Sequence, residues 1–203
     1  LLYCVIMSLR REAYESGLLK THRIAQPVIV VGNLSVGGTG KTPLVIWIAN
    51  QLARKGMRPA VISRGYGGRA TNFPLLVQAD SPAALAGDEP VMIARSLGCP
   101  VVIDPDRVAA ANWLVERNLC DVIISDDGLQ HLALGRRIEV DHHIAAEDNV
   151  ERLAERPLRV HQVERSELDQ ALQFRLDADV ALVAAGSAQE MAAQALWAQA
   201  ARI

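Results

Sequence analysis

Lys41 and Thr42 end a glycine-rich run, "VGNLSVGGTGKTP" (Val31–Pro43), with Gly37, Gly38 and Gly40 just ahead of them. Bare backbone beside one cation and one hydroxyl suits a phosphate. Glycines reach backbone angles closed to other residues, so successive N–H groups can turn toward one anion. A helix opening at that point adds its own free N–H groups and the positive end of its dipole. Ser35, Val36, Gly37, Gly38, Thr39, Gly40, Lys41 and Thr42 are therefore the candidate nucleotide-binding residues. Lys41 would reach the β- and γ-phosphates of ATP, and the Thr42 hydroxyl would ligate Mg²⁺. Ser35 stands where the strict G-x-x-x-x-G-K-[ST] pattern has its first glycine.

Such a site needs a carboxylate for the metal at the end of a neighbouring strand. "DVIISDDGLQH" supplies Asp126 and Asp127 directly after an apolar run. Alone they would be an ordinary solvated loop; with a phosphate loop upstream they are candidate metal acids. Asp88, in "AGDEPVMIA", opens a helix and could simply cap it. Arg64 and Tyr66, in "SRGYGG", sit at a strand end, where substrate contacts gather, or else form a tight turn. Arg107, in "DPDR", is either a surface charge or a phosphate contact.

The elements that must position these residues follow from the pattern. "PVIVVG", "PAVIS", "PVVID" and "DVIIS" read as strands, with "PLLVQ" as a further candidate. "KTPLVIWIANQLARKG", "EPVMIARSLG" and "DRVAAANWLVERN" read as helices. Pro43 falls in the first turn of the first of these, and Gly56 just past its end. The strands are apolar throughout, as strands covered on both faces are. The alternation predicts an α/β fold: a doubly wound, mostly parallel sheet of the P-loop NTPase kind. Beyond Glu139 the pattern is polar and loosely helical, with one more strand in "DADVALVAAG" and a closing helix in "AQEMAAQALWAQAARI".

Composition sets the outer bounds. The chain has 203 residues, half of them hydrophobic and 22% charged, and a formal net charge of -2. That suits a globular protein and gives no electrostatic footprint for nucleic acid. The three cysteines, Cys4, Cys99 and Cys120, form no metal-binding or disulfide pattern and read as small apolar fillers of a reducing compartment. No apolar run is long enough to span a bilayer. In the first 23 residues, Leu2, Val5, Ile6, Leu9 and Ala13 fall at helical spacing beside Arg10, Arg11, Lys20 and Arg23. This is an amphipathic helix, suited either to a membrane surface or to the protein's own core. No A-x-A cleavage site marks a signal peptide, and without an initiator Met the chain is expected to begin inside a longer sequence.

Taken together, "RREAYESGLL", "VIVVGNLSVGGTGKTPLVIWIA", "SRGYGG", "GDEPVMIA", "DPDR" and "SDDGLQH" resemble the tetraacyldisaccharide 4'-kinases, the lipid A kinases of Gram-negative bacteria, over Leu9 to Glu139. The resemblance implies a phosphotransferase. It would move the γ-phosphate of ATP to the 4'-hydroxyl of an acylated glucosamine disaccharide lipid, from the cytosolic face of the inner membrane. Its N-terminal helix would touch that membrane. The family's general base corresponds to Asp88, and its metal and nucleotide acids to Asp126 and Asp127, with Gln130 and His131 close by. The implied division is a membrane-contacting segment over 1–26, a kinase core over 27–139 and a divergent portion over 140–203.

After Glu139 the resemblance breaks. The family runs on to an L-R-E segment, for which this chain has "PLRV" with Val160 in the glutamate's place. The family also pairs its catalytic aspartate with a C-terminal histidine in a D-H-H or D-H-Y context. Here "DHH" comes early, at Asp141–His143, so His142 is either that histidine or a coincidence. The chain is expected to be truncated or divergent beyond this point. An inactive nucleotide-binding protein, or an ATPase switch at a membrane, is the alternative; no N-K-x-D motif supports a GTPase. The oligomeric state is not legible.

Overall fold

The computed structural model describes residues 2–32, 41–141 and 159–162. Its strands are β1 (Val28–Gly32), β2 (Pro59–Ser63), β3 (Leu75–Val77), β4 (Val101–Ile103), β5 (Val122–Asp126), β6 (Ile138–Asp141) and β7 (Arg159–Gln162). The helices are α1 (Leu2–Glu15), α2 (Lys41–Arg54), α3 (Ala83–Ala86), α4 (Asp88–Ser96) and α5 (Arg107–Glu116). One sheet runs in the order β3-β4-β2-β5-β1-β6-β7. The five inner strands are parallel, and β3 and β7 close the edges antiparallel.

The apolar strands divide between two cores by the period-two alternation of side chains. Ile29, Val31, Val61, Val101 and Ile124 pack under α2 and α4. Val28, Val30, Ala60, Ile62 and Ile123 pack under Ala110, Ala111 and Leu114 of α5. Both faces are thus covered, and β1, β2 and β5 are buried at every residue. This is the doubly wound, mostly parallel α/β sheet expected from the uninterrupted apolar runs. Each buried Val, Leu or Ile stabilises by roughly 1.5–3 kcal/mol, against about 0–1 kcal/mol for a surface ion pair, so the two cores hold the sheet together. Cys99 and Cys120 are free thiols pushed up to about 11 by burial and behave as packing atoms.

The element ends differ slightly from expectation. α4 stops at Ser96, two residues before Gly98, because Leu97 is already extended. Asp126 is the last residue of β5, paired in register with Val31, and does not lie beyond the strand. β6 runs through the boundary expected after Glu139, and β7 pairs with it where the pattern looked helical. A four-residue edge strand of mixed polarity, "RVHQ", carries little local signal; its partner strand defines it. The strand and helix expected in 163–203 lie outside the described residues.

Ile6 and Leu9 of α1 are 53% and 60% exposed, so these two are not packed on the chain's own core. Behind α1, His22 N–H donates to Ala133 O at 2.7 Å and Gly135 N–H donates to His22 O at 2.9 Å. The Thr21 hydroxyl donates to Leu132 O at 3.3 Å. These bonds tether the connecting segment to the turn before β6. Among the described residues no helix is long and apolar enough to cross a membrane.

Gly87 separates α3 from α4 and has φ +92. A Cβ there would lie 2.5 Å from Tyr66 O, so glycine alone lets the start of α4 press against the loop after β2. Gly98, by contrast, has open space around its Cα. Gly87→Ala is expected to destabilise the chain by about 1–3 kcal/mol, through positive φ and the backbone clash. Gly98→Ala is expected to stay within about 0.5 kcal/mol of the parent. Urea denaturation midpoints read both, and equal midpoints for the two variants would show that the Gly87 approach carries no strain.

Candidate active site

Parallel strands share one direction, and open α/β sheets collect ligands at their carboxyl ends. Lys41 and Thr42 begin α2 there, Arg64 follows β2, Asp104 follows β4, and Asp126 ends β5. Ser35, Val36, Gly37, Gly38, Thr39 and Gly40, and also His142, lie outside the described residues.

Lys41 Nζ meets Asp127 Oδ1 at 2.8 Å, joining the start of α2 to the end of β5. The Lys41 side chain is 24% exposed and that of Asp127 67%, so the pair is open to water and contributes little to stability. Asp127 has φ +51, a left-handed conformation that aspartate tolerates better than most residues. This reversal separates the two acids: Asp127 goes outward, whereas Asp126 is buried at 3% exposure. The Ser63 hydroxyl donates to Asp126 Oδ2 at 3.5 Å. Burial, then the carboxylates of Glu89 and Asp127, push Asp126 up to about 6; Lys41 and Arg107 oppose that rise. A carboxyl held this way favours a cation beside it, since a cation restores its charged form. Thr42 is buried at the start of α2. Among the described residues no cluster of three His, Cys, Asp or Glu side chains stands ready as a metal cage. Two carboxyl groups and a hydroxyl, completed by phosphate oxygens and water, are nonetheless the donor set Mg²⁺ prefers.

Arg107 is not a surface charge: it is 2% exposed. Its Nη1 donates to Asp104 O at 2.7 Å and its Nη2 to Asp126 O at 3.4 Å, tying the ends of β4 and β5 together. Its Nε finds no partner among the described residues. Burial lowers its pKa to about 10, against the pull of Asp126. Asp106, next in sequence, caps α5 by accepting from Val108 and Ala109 N–H.

Asp88 occupies the first turn of α4 and is exposed. The cap position belongs to Gly87, and no side chain caps this helix, so capping does not account for Asp88. Tyr66 is 83% exposed and Arg64 is exposed beside it. Gln130 is exposed and His131 half-buried on the loop after β5. Burial, then Arg107, Arg64, Arg10 and Arg136, hold the His131 imidazole down to about 4, neutral at physiological pH. The structure thus brings Lys41, Thr42, Asp126, Asp127 and Arg107 together at the β1–β5 junction, with Glu89 within electrostatic reach.

Sequence reasoning assigned no role to Ser63, Glu89, Asp104 or Arg136. The available signal was position, Ser63 and Asp104 at strand ends, Glu89 in the first turn of a helix and Arg136 before a strand, places too common to single them out. Arg136 is 5% exposed, while the adjacent Arg137 is half-buried, and nothing in "GRRIEV" tells the two apart.

Known proteins resemble this chain over most of its described residues. A tetraacyldisaccharide 4'-kinase from Nitrosococcus oceani is 55% identical over 139 residues, 68% of this chain and 41% of the relative. One from Aeromonas hydrophila is 54% identical over 140 residues, 69% of this chain and 42% of the relative. The chain therefore spans about two fifths of the length of these relatives. Among solved structures, LpxK from Aquifex aeolicus in complex with ATP matches with a TM-score of 0.64 and 37% identity, covering 69% of this chain and 45% of that one. Residues 1–191 match the family of tetraacyldisaccharide-1-P 4'-kinases, and with its phosphate-loop lysine set against a strand-end aspartate, the chain belongs to that family.

Proposed function

We propose that the protein carrying this chain transfers the γ-phosphate of ATP to the 4'-hydroxyl of a tetraacylated glucosamine disaccharide 1-phosphate. The observation that supports this best is Lys41 at the head of α2, 2.8 Å from Asp127 at the tip of β5. The lysine and the acids of this pair would flank a γ-phosphate once the pair has opened to admit it. The ATP in the Aquifex aeolicus structure supports the same nucleotide here.

In this reading Lys41 exchanges Asp127 for the β- and γ-phosphate oxygens, an exchange favoured because the pair is open to water. Ser35, Val36, Gly37, Gly38, Thr39 and Gly40 supply the phosphate loop. Thr42, Asp126, Asp127 and Gln130 are the groups that would hold Mg²⁺. When bound, Mg²⁺ neutralises charge on the phosphates as the transfer proceeds. Arg107 fixes the Asp126 backbone from behind. Asp88, exposed at the start of α4, accepts the proton of the 4'-hydroxyl. The new bond joins the 4'-oxygen to the γ-phosphorus, and ADP departs with the electron pair of the broken bond. Arg64, Tyr66 and His131 line the approach as substrate contacts; His131, being neutral, can accept a hydrogen bond there. His142 is assigned to substrate on the resemblance alone.

α1 offers Ile6 and Leu9 to solvent alongside Arg10 and Arg11. The proposed setting is peripheral, on the cytoplasmic face of the inner membrane, where the acyl chains of the substrate are anchored and no nucleic acid takes part. The apolar residues would enter the headgroup boundary, and the cations would face anionic lipid.

Three outcomes test this. Lys41→Ala should weaken Mg-ATP binding about 10-fold or more by calorimetry; unchanged affinity overturns the phosphate-cradle assignment. Asp88→Asn should lower transfer to the acylated disaccharide about 10²–10⁴-fold while ATP affinity holds. Full activity in that variant removes Asp88 as the base, and Mg-ATP binding without any transfer by the parent chain leaves a nucleotide-binding protein only. Removing residues 1–9 should release the chain from anionic vesicles in a sedimentation assay. Salt should weaken only the share due to arginine and lysine, and equal sedimentation with and without those residues refutes the membrane assignment.

A further inference from the structure

Arg136 precedes β6 and has no place in the scheme above. Its guanidinium lies in the middle of the loop that leaves β5. Nη1 donates to Leu129 O at 3.2 Å and more weakly to Gly128 O at 3.5 Å. Nη2 donates to His131 O at 2.7 Å, and Nε to Leu134 O at 3.3 Å. The ion pair with Glu139 Oε1, at 2.9 Å, completes the set. One buried side chain thus collects four carbonyls from a seven-residue turn that no helix or strand ladder organises. The planar fork of arginine is suited to this, because its donors hold fixed relative directions.

Two groups depend on that turn. On one side are Asp127, which meets Lys41, and Gln130. The Leu129 side chain packs so closely on Gly32 that a Cβ there would collide with it, so the turn also abuts the point where β1 runs toward the phosphate loop. On the other side, Ala133 and Gly135 carry the backbone bonds to His22 that tether the segment behind α1.

We propose that Arg136 is a positioning residue, whose grip on the carbonyls of Gly128, Leu129, His131 and Leu134 sets the metal-side loop against Lys41 and anchors the segment behind α1 to that same loop. The metal part of this role rests on the nucleotide site proposed above; the loop-ordering part does not. Arg136 touches no reacting atom, and its effect passes through backbone placement, as groups that orient metal ligands act.

Two measurements test it on the whole chain. The first is amide hydrogen exchange on Arg136→Met and Arg136→Lys. In Arg136→Met, the amides of Gly128, His131, Leu134, Gly135 and His22 should lose protection about 10-fold or more, while those of β2 and β4 keep theirs. Arg136→Lys retains the charge opposite Glu139 but not the fork, and should restore part of the loss. The second is titration with Mg-ATP and with ATP in EDTA. Arg136→Met should weaken the Mg²⁺-dependent part of binding about 10-fold and leave the metal-free part nearly unchanged. Unaltered exchange in the loop overturns the proposal, as does an even loss across the whole sheet, which is the mark of general destabilisation. Exchange altered as expected with equal Mg²⁺ dependence overturns the metal-side role and leaves a structural tether. If the parent chain binds no nucleotide, the reading of the site fails, and the exchange experiment still decides whether Arg136 orders the loop.

Discussion

Asp126 closes a strand that is buried on both faces, and its carboxyl is buried with it. Burial resists ionisation, and two further carboxyl groups resist it as well; Lys41 and Arg107 are the cations that oppose them. Arg107 reaches the backbone oxygen of Asp126 and not its carboxylate, so it steadies the strand end without neutralising the acid outright. The side chain keeps an unmet affinity for positive charge. A cation beside the carboxyl would favour its charged form more than Lys41 does, since Lys41 Nζ lies 2.8 Å from the neighbouring Asp127. α2, whose first residue is that lysine, and α5, which carries Arg107, are held in place by the apolar cores on the two faces of the sheet.

The two arginines buried among the described residues solve related problems. Each leaves the solvent at a large desolvation cost, offset mainly through carbonyl oxygens. Arg107 spans the ends of β4 and β5; Arg136 spans a turn. Carbonyl oxygens gathered around a guanidinium fix the backbone and do not consume the carboxylates needed elsewhere. The acids therefore stay available to metal and substrate. Close backbone approach does comparable work on the opposite side, where Gly87 lets the first turn of α4 rest against Tyr66 O.

The N-terminal segment is joined to the site through the turn that Arg136 orders. α1 itself exposes the apolar side chains of Ile6 and Leu9. Arg10 is also near enough to His131 to help hold the imidazole neutral. α1 thus stands electrostatically within reach of the loop that follows β5.

The order of the apolar runs, their lack of alternation and the position of "GGTGKT" between a run and a helix are local properties; they determined the fold class and pointed to Lys41 and to the acidic pair as candidates. Asp126 and Asp127 look identical in the chain. Only the folded sheet makes one buried and the other solvated, because the left-handed backbone at Asp127 turns the chain as it leaves β5. Likewise "DPDR" and "GRRIEV" do not announce that Arg107 and Arg136 are buried, since their partners are carbonyls contributed by other turns and strands. The inner strand β6 and the edge strand β7 carry no clear local signal for a related reason: a short strand of mixed polarity is stabilised by its neighbours, and pairing is set by residues distant in sequence. Period and composition are carried along the chain, whereas burial and hydrogen-bond partnership exist only once the chain has closed on itself.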